Sequence, residues 1–279
     1  MTMRFQLRRP AADAAEVRAR HEANRASWNE AAAHYLTKVE ETIAFLRAGG
    51  SNLHPIERAM LGDLRAFGTA IHLMCASGKD TLSLWNEGVG RVIGVDISDA
   101  HIANARRTSE ALGAPAAWYR SDVLETPPEL DGTADLVYTG RGAICWLHDL
   151  ERWAAVVRRL LRPGGVLSLF DDHPATWLFD TDAESYVHSG ADYFAHAESS
   201  QGWPDTYIGD LAVPVERQSE KFERLWPLGA VFGALRRAGL AVEHLGEHPE
   251  SYWDGFPHLR SELRGKIPMT FSLLARRPG

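Results

Sequence analysis

His72-Leu73-Met74-Cys75-Ala76-Ser77-Gly78-Lys79-Asp80-Thr81-Leu82-Ser83-Leu84, running on to Arg91-Val92-Ile93-Gly94-Val95-Asp96, is the stretch on which the fold turns. The apolar run 70–75 ends in a loop with a single glycine, a helical segment follows over 79–88, and a second apolar run, 91–96, closes on an acid. Short apolar runs alternating with helical segments signal βαβ units and a parallel sheet.

Further along, the pattern repeats with a helix over 98–113, capped by Ser98 or Asp99 and stopped by Gly113. Strands follow over 116–122 and 134–140, then a helix over 149–165 closed by Pro and Gly, and a strand over 166–171. A helix over 228–240 and two closing strands, 241–248 and 268–277, complete an α/β, Rossmann-like, seven-stranded sheet with helices on both faces. Residues 1–68 read as an N-terminal helical lid, interrupted by a turn at 49–55, and 69–277 as the main domain. Periodicity vanishes over 172–226, yet that stretch is rich in aromatic residues, so it is expected to be an ordered cap inserted in the main domain.

Hydrophobic residues make up 45% and charged residues 24% of the 279, ordinary values for a globular chain. The net charge of −7 and the scattered lysines and arginines argue against phosphate-backbone binding, so no nucleic-acid partner is expected. No apolar run approaches a membrane span, and the first residues lack the apolar stretch of a secretory signal, which gives a cytoplasmic reading with no membrane partner. The two cysteines, Cys75 and Cys145, sit in or beside apolar strands and lack metal-ligand spacing, so neither a disulfide nor a metal site is expected.

In open parallel sheets, ligands bind outside the carboxyl ends of the strands, which makes the loop 74–78 the place to look. A dinucleotide fold needs G-x-G-x-x-G there so that a pyrophosphate can approach the backbone. This loop has one glycine, Gly78, while Asp96, 18 positions later, can accept hydrogen bonds from both hydroxyls of a ribose. A nucleoside without a pyrophosphate suits both facts, and S-adenosylmethionine is one.

The order of these motifs resembles the class I S-adenosylmethionine-dependent methyltransferases over residues 70–277. The segment 72–84, together with Trp28-Asn29-Glu30-Ala31, His34-Tyr35, Trp146-Leu147-His148-Asp149-Leu150, Leu161-Arg162-Pro163-Gly164-Gly165 and His173-Pro174, is similar to a bacterial small-molecule subgroup whose first loop departs from the usual glycine pattern in the same way. The resemblance implies S-adenosylmethionine as cofactor, held by Cys75, Gly78, Asp96 and Ile97. Asp122 and Val123 would lie at the adenine, Thr139 and Gly140 beside the methionine arm, and Trp28 and Tyr35 would close over the cofactor. Where the family at large has glycines this chain has Met74 and Ala76, which would displace the cofactor or exclude it.

Each assignment has a plainer rival. Asp96 and Asp122 are also good turn caps, and Gly78 a good tight turn. Arg141 would bind an acceptor carboxylate or phosphate through its planar fork, or simply make a surface pair. His173, directly after a strand, would emerge at the carboxyl edge as a general base. Asp171-Asp172-His173 could instead hold a divalent ion, but adjacent strand residues point to opposite faces. Trp146, Trp177, Tyr193 and Trp203 are expected to wall a small-molecule acceptor site, with a homodimer interface or plain packing as the other uses of the cap. The function that follows is methyl transfer from S-adenosylmethionine to a nitrogen or oxygen of a small molecule, in natural-product chemistry among other settings. A protein using the cofactor structurally or for a non-methylating reaction, and an RNA-modifying enzyme, are the rivals.

Overall fold

The computed structural model describes residues 4–204 and 207–279. In chain order its elements are β1 (Arg4–Arg8), α1 (Ala14–Thr37), α2 (Val39–Arg47), α3 (Pro55–Leu61), β2 (Thr69–Leu73), α4 (Lys79–Asn86), β3 (Arg91–Asp96), α5 (Asp99–Leu112), β4 (Ala116–Arg120) and β5 (Ala134–Gly140). They continue with α6 (Leu150–Leu160), β6 (Leu161–Asp172), β7 (Ala197–Gln201), β8 (Lys221–Arg224), α7 (Leu228–Arg237), β9 (Ala241–His248) and β10 (Thr270–Arg276).

Seven strands form one sheet in the order β4-β3-β2-β5-β6-β10-β9, parallel except for β10, which runs antiparallel to both its neighbours. The alternation of side chains divides the core in two. Ile71, Leu73, Ile93, Val95, Val137, Leu167, Leu169 and Phe271 pack with α6 and α7 on one face, around the fully buried Trp153. Ala70, Val92, Leu136 and Tyr138 pack with Leu61 and Leu84 on the other. A parallel sheet covered on both faces is why its strands read as unbroken apolar runs.

Helix starts follow local chemistry: Asp13, Ser98 and Asp149 accept from the backbone N–H groups of Glu16, His101 and Arg152, and Gly113 ends α5 in the left-handed conformation. Two expectations need correction. Helix α6 stops at Leu160 instead of continuing to 165, because Pro163 disfavours helix at the residue before it and Leu161 is already extended. The stretch 172–226 is not without regular structure, since β7 and β8 join β1 in a three-stranded antiparallel sheet that ties the cap to the chain's beginning.

Candidate functional site

The sheet order fixes the layout of the site. The loops leaving β4, β3, β2 and β5 stand side by side at the carboxyl edge, and three strand spacings put about 14 Å between the outer two. Over this edge lies a cavity of about 500 Å³. Its floor is formed by Asp122 and Val123, then Asp96 and Ile97, then residues 74–78, then Gly140 and Arg141. His21, Trp28 and Tyr35 of α1 close it from above, and Trp146, Tyr207, Tyr252 and Trp253 wall its sides.

The loop after β2 holds three left-handed residues, Met74 (φ 58°), Ala76 (φ 46°) and Gly78 (φ 78°). Two residues with side chains thus take a conformation that favours glycine, at a cost of about 1–2 kcal/mol each. The twist turns the Ala76 N–H onto Asp96 Oδ2 at 2.7 Å, while Ser98 N–H donates to Oδ1 at 2.8 Å. Burial raises the Asp96 carboxyl to about 6 against these two bonds. Replacing Ala76 with glycine is therefore expected to raise the unfolding free energy by about 0.5–1 kcal/mol after the extra unfolded-state entropy is subtracted, measured by denaturant titration; a loss would show that the loop is not strained.

Asp122 is held from both sides. Oδ1 accepts from the Leu124 N–H at 2.9 Å, and Oδ2 lies 2.8 Å from His21 Nδ1. Because the His148 N–H donates to His21 Nε2 at 3.3 Å, the proton sits on Nδ1 and His21 donates to the carboxylate. Burial pushes this carboxyl up, but the His21 imidazole and the Leu124 amide outweigh it and leave it below the ordinary range. The cap readings of Asp96 and Asp122 are both true of their bonds, and both residues still line the cavity.

Trp28, Tyr35, Cys75, Gly78, Asp96, Ile97, Asp122, Val123, Gly140, Arg141 and Trp146 are brought together at the cavity. The Cys75 side chain packs under it with Leu82 and Trp118. Thr139 is buried beneath the floor, its Oγ1 without a partner among the described residues.

Four expected residues lie elsewhere. Trp203 is buried behind Trp28, ring centroids 4.6 Å apart, with Lys221 Nζ 4.6 Å from its ring. Trp177 packs on His196, and the Tyr193 hydroxyl accepts from the Leu228 N–H. His173 caps a 3-10 turn, with Nδ1 accepting from the Ala175 N–H at 3.1 Å and Nε2 lying 2.9 Å from Glu247. Burial lowers its basicity, and it pairs with Glu247 of β9; neither it nor its strand neighbour lines the cavity.

That neighbour, Asp172, accepts from Trp253 Nε1 at 3.2 Å, and burial with the adjacent Asp171 charge pushes it up to about 7. Asp171 instead accepts from the N–H groups of Gly142, Ala143, Ile144 and Asp172 and so shapes the loop after β5. No group of three or more His, Cys, Asp or Glu suited to a metal occurs among the described residues, and no described helix is long and apolar enough to cross a membrane.

Sequence reasoning missed Tyr207, Tyr252, Trp253, His21 and Asp80. For Tyr252 and Trp253 there was a signal: β9 runs parallel to the central strands, so the loop after it must emerge at the same carboxyl edge.

Residues 70–165 match the family described as methyltransferase domain. An uncharacterised methyltransferase of Synechocystis is 32% identical over 115 residues, 39% of this chain and 50% of that protein. An uncharacterised 37.1 kDa protein of a Streptomyces fradiae transposon is 37% identical over 107 residues, 38% of this chain and 30% of that protein. The chain therefore spans half or less of the curated relatives it matches. Among solved structures, an S-adenosylmethionine-dependent methyltransferase of Mesorhizobium loti superposes with a TM-score of 0.55 at 23% identity, over 82% of this chain and 99% of that one. A geranyl diphosphate C-methyltransferase of Streptomyces coelicolor, solved with Mg2+, geranyl diphosphate and S-adenosyl-L-homocysteine, gives 0.51 at 14% identity, over 75% and 72%. Residues 70–165 thus match a methyltransferase domain, and the chain that carries them has the class I methyltransferase fold.

Proposed function

We propose that the chain transfers a methyl group from S-adenosylmethionine to a nitrogen or oxygen of a small molecule. The observation that carries this is the row of Asp122, Asp96, the 74–78 loop and Gly140 along one cavity floor, in the sequence in which an adenine, a ribose and an amino-acid arm follow one another. A polar atom of the wall fits such a guest: His101 Nε2 is buried without a hydrogen-bond partner among the described residues.

Asp96 would take both ribose hydroxyls on the lone pairs that its two backbone donors leave free, and Asp122 with the Val123 N–H would read the adenine edge. When bound, the cofactor supplies a methyl group on a sulfonium, a reaction in which alignment and exclusion of water do most of the work. Trp28 and Tyr35 exclude water from above, and Trp28 is held by Trp146 at 5.3 Å and Trp203 at 4.6 Å. Tyr252, whose hydroxyl lies beside Gly142 just past the end of β5, walls the acceptor end of the cavity. An acidic chain with an aromatic-walled cavity favours a small acceptor over RNA.

Incubation with S-adenosylmethionine carrying a tritiated methyl group and fractionated cell extract tests the proposal. Label in a small-molecule fraction supports it; label confined to RNA, or no transfer from a protein that binds the cofactor, refutes it. The pH dependence of binding follows from Asp96. Ribose hydroxyls donate to the ionised carboxylate, so below the apo value of about 6 each pH unit is expected to weaken S-adenosylhomocysteine by up to about tenfold, with no such loss above it. Calorimetry between pH 5 and 8 would show this, and a flat profile would mean that Asp96 does not hold the ligand.

A further inference from the structure

The acceptor end of the cavity lies between the end of β5 and the loop after β9. Phe170 of β6 stands opposite Gly140 of β5 in the parallel register, so Asp172, two residues on, is level with Gly142. A Cβ on Gly142 would lie 3.5 Å from the Tyr252 hydroxyl, and Tyr252 lines the cavity. That hydroxyl approaches the Asp172 carboxylate without the alignment of a full hydrogen bond, and Trp253 Nε1 donates to Asp172 Oδ1 at 3.2 Å. The carboxylate itself is not part of the cavity wall, so a guest reaches it through the tyrosine. Its other titratable neighbours are Asp171 on the same strand, Tyr207 of the cap and Cys145 after β5, none of them a cation.

A hydroxyl acceptor must lose its proton as it attacks, whereas an amine attacks through a free lone pair. We propose that Tyr252 and Asp172 form a proton path for a phenolic hydroxyl acceptor, which makes the chain an O-methyltransferase. This rests on the methyl-transfer reading of the cavity. As the acceptor oxygen bonds to the methyl carbon, the carbon–sulfur bond breaks and its electron pair stays on sulfur, leaving a neutral thioether. The acceptor's proton passes to Tyr252 Oη, and the proton that Tyr252 already carries passes to Asp172, which ends neutral. Burial and the charges of Asp172 and Asp171 raise Tyr252 well above the ordinary tyrosine value, so it keeps its proton at neutral pH and serves as carrier, not as base. Asp172, pushed up to about 7, is basic enough to relieve a phenol, which ionises at about 10, but not an aliphatic alcohol. The rings of Trp28, Trp146 and Trp253 offer an aromatic acceptor flat faces and edges to pack on.

The test uses S-adenosylmethionine with a tritiated methyl group, a panel of substituted phenols and the matching anilines. Label is expected in phenols and not in anilines, with kcat rising with pH to a plateau above about 7. Asp172→Asn is expected to lower kcat by about 100-fold or more and to flatten that profile, while KM for the phenol and the affinity for S-adenosylhomocysteine stay within about threefold. Tyr252→Phe should lower kcat to a similar degree, and Asp172→Glu, which keeps a carboxylate, should recover part of the rate. Retained S-adenosylhomocysteine binding shows that each variant is folded. Label in anilines alone, label in no phenol, or kcat of Asp172→Asn within threefold of the unaltered protein would overturn the path and leave methyl transfer to another acceptor standing. If no fraction of a cell extract took up label either, both readings would fall.

Discussion

Asp96→Ala is expected to lower the affinity for S-adenosylhomocysteine by about two to four orders of magnitude. Two hydroxyl groups would lose a charged acceptor, and hydrogen bonds to charged groups are worth about 1.5–3 kcal/mol each. The same change frees the Ala76 and Ser98 N–H groups, which now converge on this carboxylate at 2.7 and 2.8 Å, so the strained loop loses its anchor as well. 5′-Methylthioadenosine, which has the same nucleoside but lacks the amino acid, should weaken to a similar degree, because both ligands carry the ribose. Calorimetry on protein with an unchanged circular dichroism spectrum gives the comparison. Affinity within threefold of the unaltered protein would mean that Asp96 serves only as a cap.

The second large effect is on the fold itself. Gly78→Ala is expected to reduce the unfolding free energy by about 2–5 kcal/mol, read from the denaturant midpoint. Two penalties combine. The residue has φ 78°, which costs an L residue about 1–2 kcal/mol, and an added Cβ would stand 2.4 Å from Cη2 of Trp118. Trp118 cannot easily retreat, because Gly94 makes room for the same ring on its other side and Trp118 Nε1 is bound to Ser109 at 2.9 Å. A loss below 1 kcal/mol would show that the indole is free to move.

Gly78 and Trp118 illustrate what could be read from the chain alone. A lone glycine between an apolar strand and a helix announced the turn, and short runs announced all seven strands of the main sheet, the inner ones because strands buried on both faces must be apolar throughout. The ring that needs the glycine lies 40 residues away in sequence, and nothing local points to it. β7 went unread for the same kind of reason. Ala197–Gln201 is polar and short, and its strand character comes from pairing with β1, nearly 200 residues earlier.

Within the site, the residues legible beforehand were those attached to the ends of strands: Asp96, Asp122 and Gly140 had to reach the carboxyl edge once the strands were placed. His173 lies just past the end of β6, where it caps a 3-10 turn and pairs with Glu247 of β9 instead of lining the cavity. The aromatic cap could be counted but not aimed. Trp177, Tyr193 and Trp203 were spent on packing, and the walls came from Tyr207 and from the Tyr252–Trp253 loop.

The central claim is that this cavity admits an adenosyl ligand although Met74 and Ala76 stand where glycines would give more room. Calorimetric titration of the unaltered protein with S-adenosylhomocysteine addresses it most directly. The expected result is saturable binding of one ligand per chain; absence of saturable heat up to about 1 mM ligand, the level of a contact worth only about 4 kcal/mol, would contradict it.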